Sequence, residues 1–199
     1  MSTTPSPSPT ERPLRADARR NREAILDAAR IRFGTDGLDA QIDDIALGAG
    51  VGVGTMYRHF PTKEALIAAL TVAHFERVAD EAIEALAAVE AGADAWEQLC
   101  GLLLASAGRL AQDAGLSEVV SNRHEMVQEC GAVKTGLNAT TARIMERAIA
   151  DGTLRADATV SDIPLMMAGL GRVVSEPAKA MGLSWERYME LMLDGLRAR

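Results

Sequence analysis

The amino-acid sequence predicts an all-α fold: a small three-helix head carrying a helix-turn-helix, set on a larger helical body, with about nine helices in all. Three observations carry this reading. Of the 199 residues, 48% are hydrophobic but only 4% aromatic, and Ala and Leu stand in place of the β-branched runs that strands favour. Apolar residues recur at three- and four-residue spacing along the chain, the period of one buried helical face. Finally, Ile42–Lys63, IDDIALGAGVGVGTMYRHFPTK, has the spacing of two short helices joined by a tight turn.

Residues 1–10, MSTTPSPSPT, hold Pro and Ser at a density that cannot bury a core, and a disordered tail is expected over residues 1–14. They also lack the apolar stretch of a signal peptide. Arg12, Arg15, Arg19, Arg20 and Arg22 follow, interleaved with Glu11, Asp17 and Glu23. They read either as an arm that touches phosphates or a minor groove, or as the solvated start of a helix. That first helix is expected over Arg15–Phe33, with Gly34 and Gly37 marking its end. The head is taken as residues 15–63 and the body as residues 64–199.

Within the head, Ile42, Ile45, Ala46 and Ala49 form the buried stripe of a short helix, and Ala46 leaves room for another helix to cross close by. Gly50 stands where a chain leaving a helix often needs a left-handed residue. A second short helix runs on through Met56 and Tyr57, with Met56 and Phe60 facing inward. Two such helices with a Gly-containing turn make a helix-turn-helix, whose second helix lies in the DNA major groove. Its outward chemistry suits that role. Gly52, Val53, Gly54 and Thr55 are small, so the helix tip can approach base edges, and its first N–H groups favour phosphate. Tyr57, Arg58, His59 and Lys63 supply donors around the tip, and Thr62 is placed to cap the next helix. Val53 has no polar group, so its expected contact is a thymine methyl. Two core helices with a solvated polar face would show a similar pattern.

The segment AGVGVGTMYRHFPTKEAL resembles the recognition helix and following helix of the TetR/AcrR family of bacterial transcriptional regulators, in a variant similar to actinobacterial members. Upstream, Ile25, Leu26, Ala29, Phe33, Gly37 and the run Ile42-Asp43-Asp44-Ile45-Ala46 agree with it. The resemblance covers roughly residues 19–66. Gly52 and Val53 stand where most relatives carry Ser or Thr and often a basic residue. Leu38 replaces a common aromatic, and Gln41, at the edge of the reading surface, replaces a capping Thr or Ser.

Charge is divided between the parts. The net charge is −7 overall, at first sight wrong for a polyanion partner. Through Lys63, nine Lys and Arg stand against eight Asp and Glu, a net of +1. Of the 21 basic and 28 acidic residues in the chain, 12 and 20 therefore lie beyond Lys63, a net of −8. An acidic body with a locally basic head suits a regulator better than a nonspecific DNA coat.

In the body, Thr62 opens a long pattern through Leu66, Leu70, Val78, Leu86 and Val89, broken near Gly92. Trp96–Leu110 gives another helix ending near Gly115, Leu116–Gly131 is a weaker stretch, and Lys134–Ala150 is helical up to Asp151-Gly152. Asp162–Ser175 and Trp185–Arg197 are the last two, divided by Glu176-Pro177 and Gly182. No apolar run approaches the roughly 20 residues that span a bilayer, and a cytoplasmic protein is expected. Cys100 and Cys130 read as packed thiols, and His124 lies six residues from Cys130, off the spacing that puts two ligands on one helical face. No metal, cofactor, phosphate loop or catalytic constellation is expected, so an enzyme is disfavoured.

The resemblance implies a small apolar or amphipathic effector bound in the body, with Trp96, Cys100, Leu103, His124, Met126, Met145 and Met167 as pocket lining. Two apolar stripes, Leu165, Met166, Gly169, Leu170, Val173 and Tyr188, Leu191, Met192, Gly195, Leu196, are expected to form a dimer interface, their glycines allowing close helix approach. In proteins that the chain resembles, such helices form a four-helix bundle between subunits. Dimerisation has a physical motive as well, because one short helix reads too few bases for genomic specificity. The resulting expectation is a homodimeric repressor released from a palindromic operator by an effector. A partner-controlled regulator or activator of the same fold is the alternative, and an all-helical enzyme or carrier a more distant one.

Overall fold

A computed structural model describes residues 11–122, 130–174, 181–182 and 184–198, and these form nine α-helices, one 3-10 turn and no β-strand. The head comprises α1 (Glu11–Asp36), the 3-10 turn Gly37–Asp39, α2 (Ile42–Gly48) and α3 (Val53–His59). The body comprises α4 (Lys63–Glu90), α5 (Ala95–Gln112), α6 (Ala114–Asn122), α7 (Gly131–Ala150), α8 (Asp162–Val173) and α9 (Trp185–Leu196).

The head closes around side chains that the sequence pattern singles out. Ile25, Ala29, Phe33, Ile45, Ala46, Met56, Phe60 and Leu66 are all at most 4% exposed. Gly50 adopts φ +65°, the left-handed conformation a side chain resists, and the Val51 N–H returns to the Ala46 carbonyl at 3.1 Å. Thr62 caps α4, its hydroxyl accepting from the Ala65 N–H at 3.1 Å. α4 has 28 residues, a rod of about 42 Å that begins beside the recognition helix and ends on the far side of the body.

α4 lies along α7 and α5, and α8 and α9 close the other side. Leu99, Ile144, Leu154, Leu170 and Met189 are wholly buried in that second core. The chain end is tied in by main-chain bonds from Arg155 N–H to the Leu196 carbonyl (2.9 Å) and from Ala198 N–H to the Thr153 carbonyl (3.0 Å).

Three boundaries differ from expectation. α1 starts at Glu11, inside the segment expected to be tail, because Pro13 falls in a first turn whose N–H groups have no intrahelical acceptor. It also runs on past Phe33 to Asp36, with Gly34 inside it. Near residue 113 the change is larger. α5 stops at Gln112, and Asp113 begins a new helix by accepting the Leu116 N–H on its carboxylate at 2.8 Å. Gly115 is therefore no terminator; it lies in the first turn of α6, where α6 crosses α1.

Candidate functional site

α3 is held from below and open above. Met56 (0% exposed) and Phe60 (4%) anchor it, while Val53 (41%) and Tyr57 (47%) project outward with Gly52, Gly54 and Arg58. The Arg58 guanidinium donates to the Thr55 hydroxyl at 2.9 Å, which orients both along one edge of the helix. His59 is half-buried, its ring tilted against Phe60 at 6.5 Å. Lys63 is also half-buried, its ammonium 5.9 Å from the centre of the Phe33 ring. Gln41 is exposed at the start of α2 but gives no cap; its amide instead donates to the Asp39 carbonyl at 2.9 Å.

All nine residues expected to meet DNA thus lie on or beside the helix-turn-helix. Four, Gly52 to Thr55, form the tip of α3, four are spread along its C-terminal half and the start of α4, and Gln41 stands at the start of α2. Of the arginines before it, Arg20 pairs with Asp17 and Arg19 lies 3.7 Å from Glu23, while the Arg22 guanidinium stacks 5.2 Å from the Phe60 ring centre. Arg22 thereby joins the first helix to the base of the reading helix.

The body holds a cavity of about 150 Å³ between α4, α5, α6, α7 and α8. Leu103 and Met167 line it. Trp96, Cys100 and Met145 do not: they share the cavity's faces of α5 and α7 but lie further along each helix, where those faces pack into the body core. Arg197 lies over the Trp96 ring at 5.5 Å, and burial pushes the Cys100 thiol up to about 11. His124 and Met126 lie outside the described residues. The polar lining missed by sequence reading comes from Lys134, Asn138 and Thr141 on α7. Their i, i+4, i+7 spacing was its signal, one polar stripe along α7.

A second cavity, of about 290 Å³, lies where the head meets the body, between Arg30 and Phe33 of α1, Thr71 and His74 of α4, Arg109 of α5 and Leu116 of α6. Its cations are already engaged. Arg109 grips Glu81 through both terminal nitrogens, at 2.9 and 2.5 Å, Arg77 reaches the same carboxylate at 3.2 Å, and Arg30 pairs with Asp27 at 3.1 Å. Burial would raise the Glu81 carboxyl, but the hydrogen bonds from Arg109 and Arg77 hold it below its ordinary value. His74 borders both cavities, and burial, then Arg109, lower its pKa to about 4.

The expected dimer stripes divide. Leu165 (73% exposed) and Leu191 (48%) face outward, Gly195 is exposed, and Val173 and Met192 are half-buried. Met166, Leu170 and Leu196 are buried within the subunit's own core, which removes them from any surface. Gly169 receives Tyr188 of the same subunit, whose hydroxyl donates to the Met166 carbonyl at 2.9 Å.

This head matches the model of the bacterial regulatory proteins of the tetR family over residues 25–70, and the body matches the C-terminal domain of SbtR-like transcriptional regulators over residues 94–198. A TetR transcription regulatory protein of Mycobacterium vanbaalenii is 32% identical, covering 93% of this chain and 99% of its own, with a TM-score of 0.64. The chain belongs to the TetR family of transcriptional regulators. A TetR regulator of Streptomyces coelicolor is similar at 30% identity, covering 89% of this chain and 98% of its own, with a TM-score of 0.62. The fold also matches the transcriptional regulator FadR of Bacillus subtilis, solved in complex with stearoyl-CoA, at 22% identity, 87% and 98% coverage and a TM-score of 0.62. No curated protein matches. As a TetR-family member this chain is a DNA-binding regulator rather than an enzyme. No described helix is long and apolar enough to cross a membrane.

Proposed function

We propose that this TetR-family regulator is a homodimeric, cytoplasmic repressor that binds a palindromic operator through α3 and leaves it when a small apolar or amphipathic effector enters the body cavity. The observation that carries the reading is the two-sidedness of α3: Met56 is wholly buried while Val53, Gly54, Tyr57 and Arg58 stay exposed. Base reading falls to Val53, Gly54 and Thr55, with Val53 toward a thymine methyl. Phosphate contact falls to Tyr57, His59, Lys63 and the N–H groups of the first turn of α3. Gln41, Gly52 and Arg58 complete the surface. α4 supplies the coupling, because it begins beside α3 and lines the cavity further along with His74, Phe75 and Val78. An effector that prefers one position of α4 shifts the population toward a spacing of the two reading heads that no longer suits the operator.

Selection of bound sequences from random DNA tests this. The full chain is expected to enrich a palindrome with half-sites about 34–36 Å apart, or a multiple of that. Val53→Lys is expected to change the preferred base at one position of each half-site and leave the fold intact. Enrichment of no sequence, or an unchanged preference in the Val53→Lys protein, would overturn the assignment.

A further inference from the structure

We infer that the body cavity recognises a small amphipathic carboxylate, its acid held by Lys134 and its apolar part, one aromatic ring or a short alkyl chain, seated beside Phe75. This rests on the proposed reading of the cavity as the effector site and deepens it to a chemical class.

The cavity is apolar for most of its wall, with Phe75, Val78, Leu102, Leu103, Leu137 and Met167 facing it. Its volume of about 150 Å³ is close to that of an engineered apolar cavity that takes up one benzene. Against this wall α7 sets a polar stripe, Lys134, Asn138 and Thr141, on a single face of the helix. Lys134 is half-buried, and its ammonium lies 5.9 Å from the centre of the Phe75 ring with no carboxylate paired to it among the described residues. No Asp or Glu is among the described residues that line the cavity, and His74 at its edge is held neutral, so Lys134 is the one charged group among them.

The neighbouring polar groups are unspent too. The hydroxyls of Thr141 (4% exposed) and Ser106 (7%) have no hydrogen-bond partner among the described residues, nor does the amide of Asn138, which stands exposed at the rim. Buried Thr71 on α4 behaves differently, its hydroxyl donating to the Ile67 carbonyl at 2.9 Å. A cation with adjacent amide and hydroxyl donors complements a carboxylate, which offers acceptors only. A neutral ligand of the same shape fills the apolar wall but leaves the ammonium without a counter-charge in a poorly hydrated site. The seat also touches the transmitting helix: Phe75 is on α4 and Lys134 on α7, so the acid and its ring bridge those two helices.

Calorimetric titration of the full-length protein at pH 7.5 tests the class, with benzoate and hexanoate against benzamide and hexanamide. Each acid is expected to bind at least about tenfold tighter than its amide, the scale of one charge-assisted contact. Lys134→Met is expected to bring that ratio close to one, and Lys134→Arg to preserve it. Ala168→Phe, which fills the cavity from α8, is expected to weaken every compound. Equal binding of acid and amide, a preference that survives Lys134→Met, or no binding of either acid would overturn the carboxylate assignment. Acids and amides that bind alike but are both lost in Ala168→Phe would sink the class and leave the cavity reading standing. Binding that persists in Ala168→Phe would remove the cavity reading as well.

Discussion

Gly115 of α6 and Phe33 of α1 approach so closely that a Cβ built on the glycine would stand 2.8 Å from the Phe33 Cβ and 3.0 Å from its carbonyl oxygen. This contact joins the DNA-reading head to the body. Leu38 presses on the same point at 3.4 Å, and Val119, one turn further along α6, is wholly buried in the head's core. One helix of the body is therefore also a wall of the head.

Gly115→Ala is accordingly expected to destabilise the protein, although Gly to Ala inside a helix usually stabilises. The steric conflict involves a main-chain atom and the root of a side chain, neither of which can swing aside. A loss of roughly 1–3 kcal/mol is expected in chemical denaturation, the scale of overpacking in a tight core. A stability equal to or above that of the parent would show that α1 and α6 slide apart freely.

Gly169 and Tyr188 offer a contrast, because here the obstacle is one atom. A Cβ at Gly169 would stand 2.3 Å from the Tyr188 hydroxyl oxygen but 3.3 Å from the next ring atom. Gly169→Ala alone should therefore be costly, and Tyr188→Phe alone should cost about 1 kcal/mol for the lost hydrogen bond to the Met166 carbonyl. Combined, the two should cost less than their sum, and a double-mutant cycle of unfolding free energies measures the difference. Strict additivity would place the conflict elsewhere.

His74 gives a pH dependence of definite sign. Its folded pKa is lowered to about 4 from 6.5, so the unfolded chain binds its proton first as the solution is acidified. The stability due to a neutral His74 is complete above about pH 6.5 and is lost as the pH falls toward 4. His74→Gln is expected to flatten the pH–stability curve between those values, by at most about 1.4 kcal/mol per pH unit. An unchanged slope in that protein, followed by thermal unfolding across the range, would assign the acid sensitivity to other groups.

Leu165 and Leu191 are the exposed members of α8 and α9, and the proposed dimer requires them. Removing α9 would be a poor test, since Met189, Leu193 and Leu196 fill the subunit's own core. Leu165→Asp with Leu191→Asp leaves that core alone. The doubly substituted protein is expected to sediment as a folded monomer and to lose its preference for a palindrome over an isolated half-site. A stable dimer would move the interface off these helices.

The sequence by itself determined the helical class, the helix-turn-helix and the Thr62 cap of the helix that follows it. These follow from local rules: a 3.6-residue period, a glycine at the left-handed position of the turn, a Thr one residue ahead of a helix. Met56 and Phe60, four residues apart, both face inward, as a helical period places them. Tertiary structure alone decided how the faces of the body were used. Trp96, Cys100 and Met145 pack into the same core as Leu103 and Met167, yet only the last two also reach a cavity. The difference lies in which neighbouring helix crosses each face, and at what height, and periodicity carries no information about either. Gly115 has the same origin: read locally it ends a helix, whereas in the folded chain it is the gap through which one helix passes another.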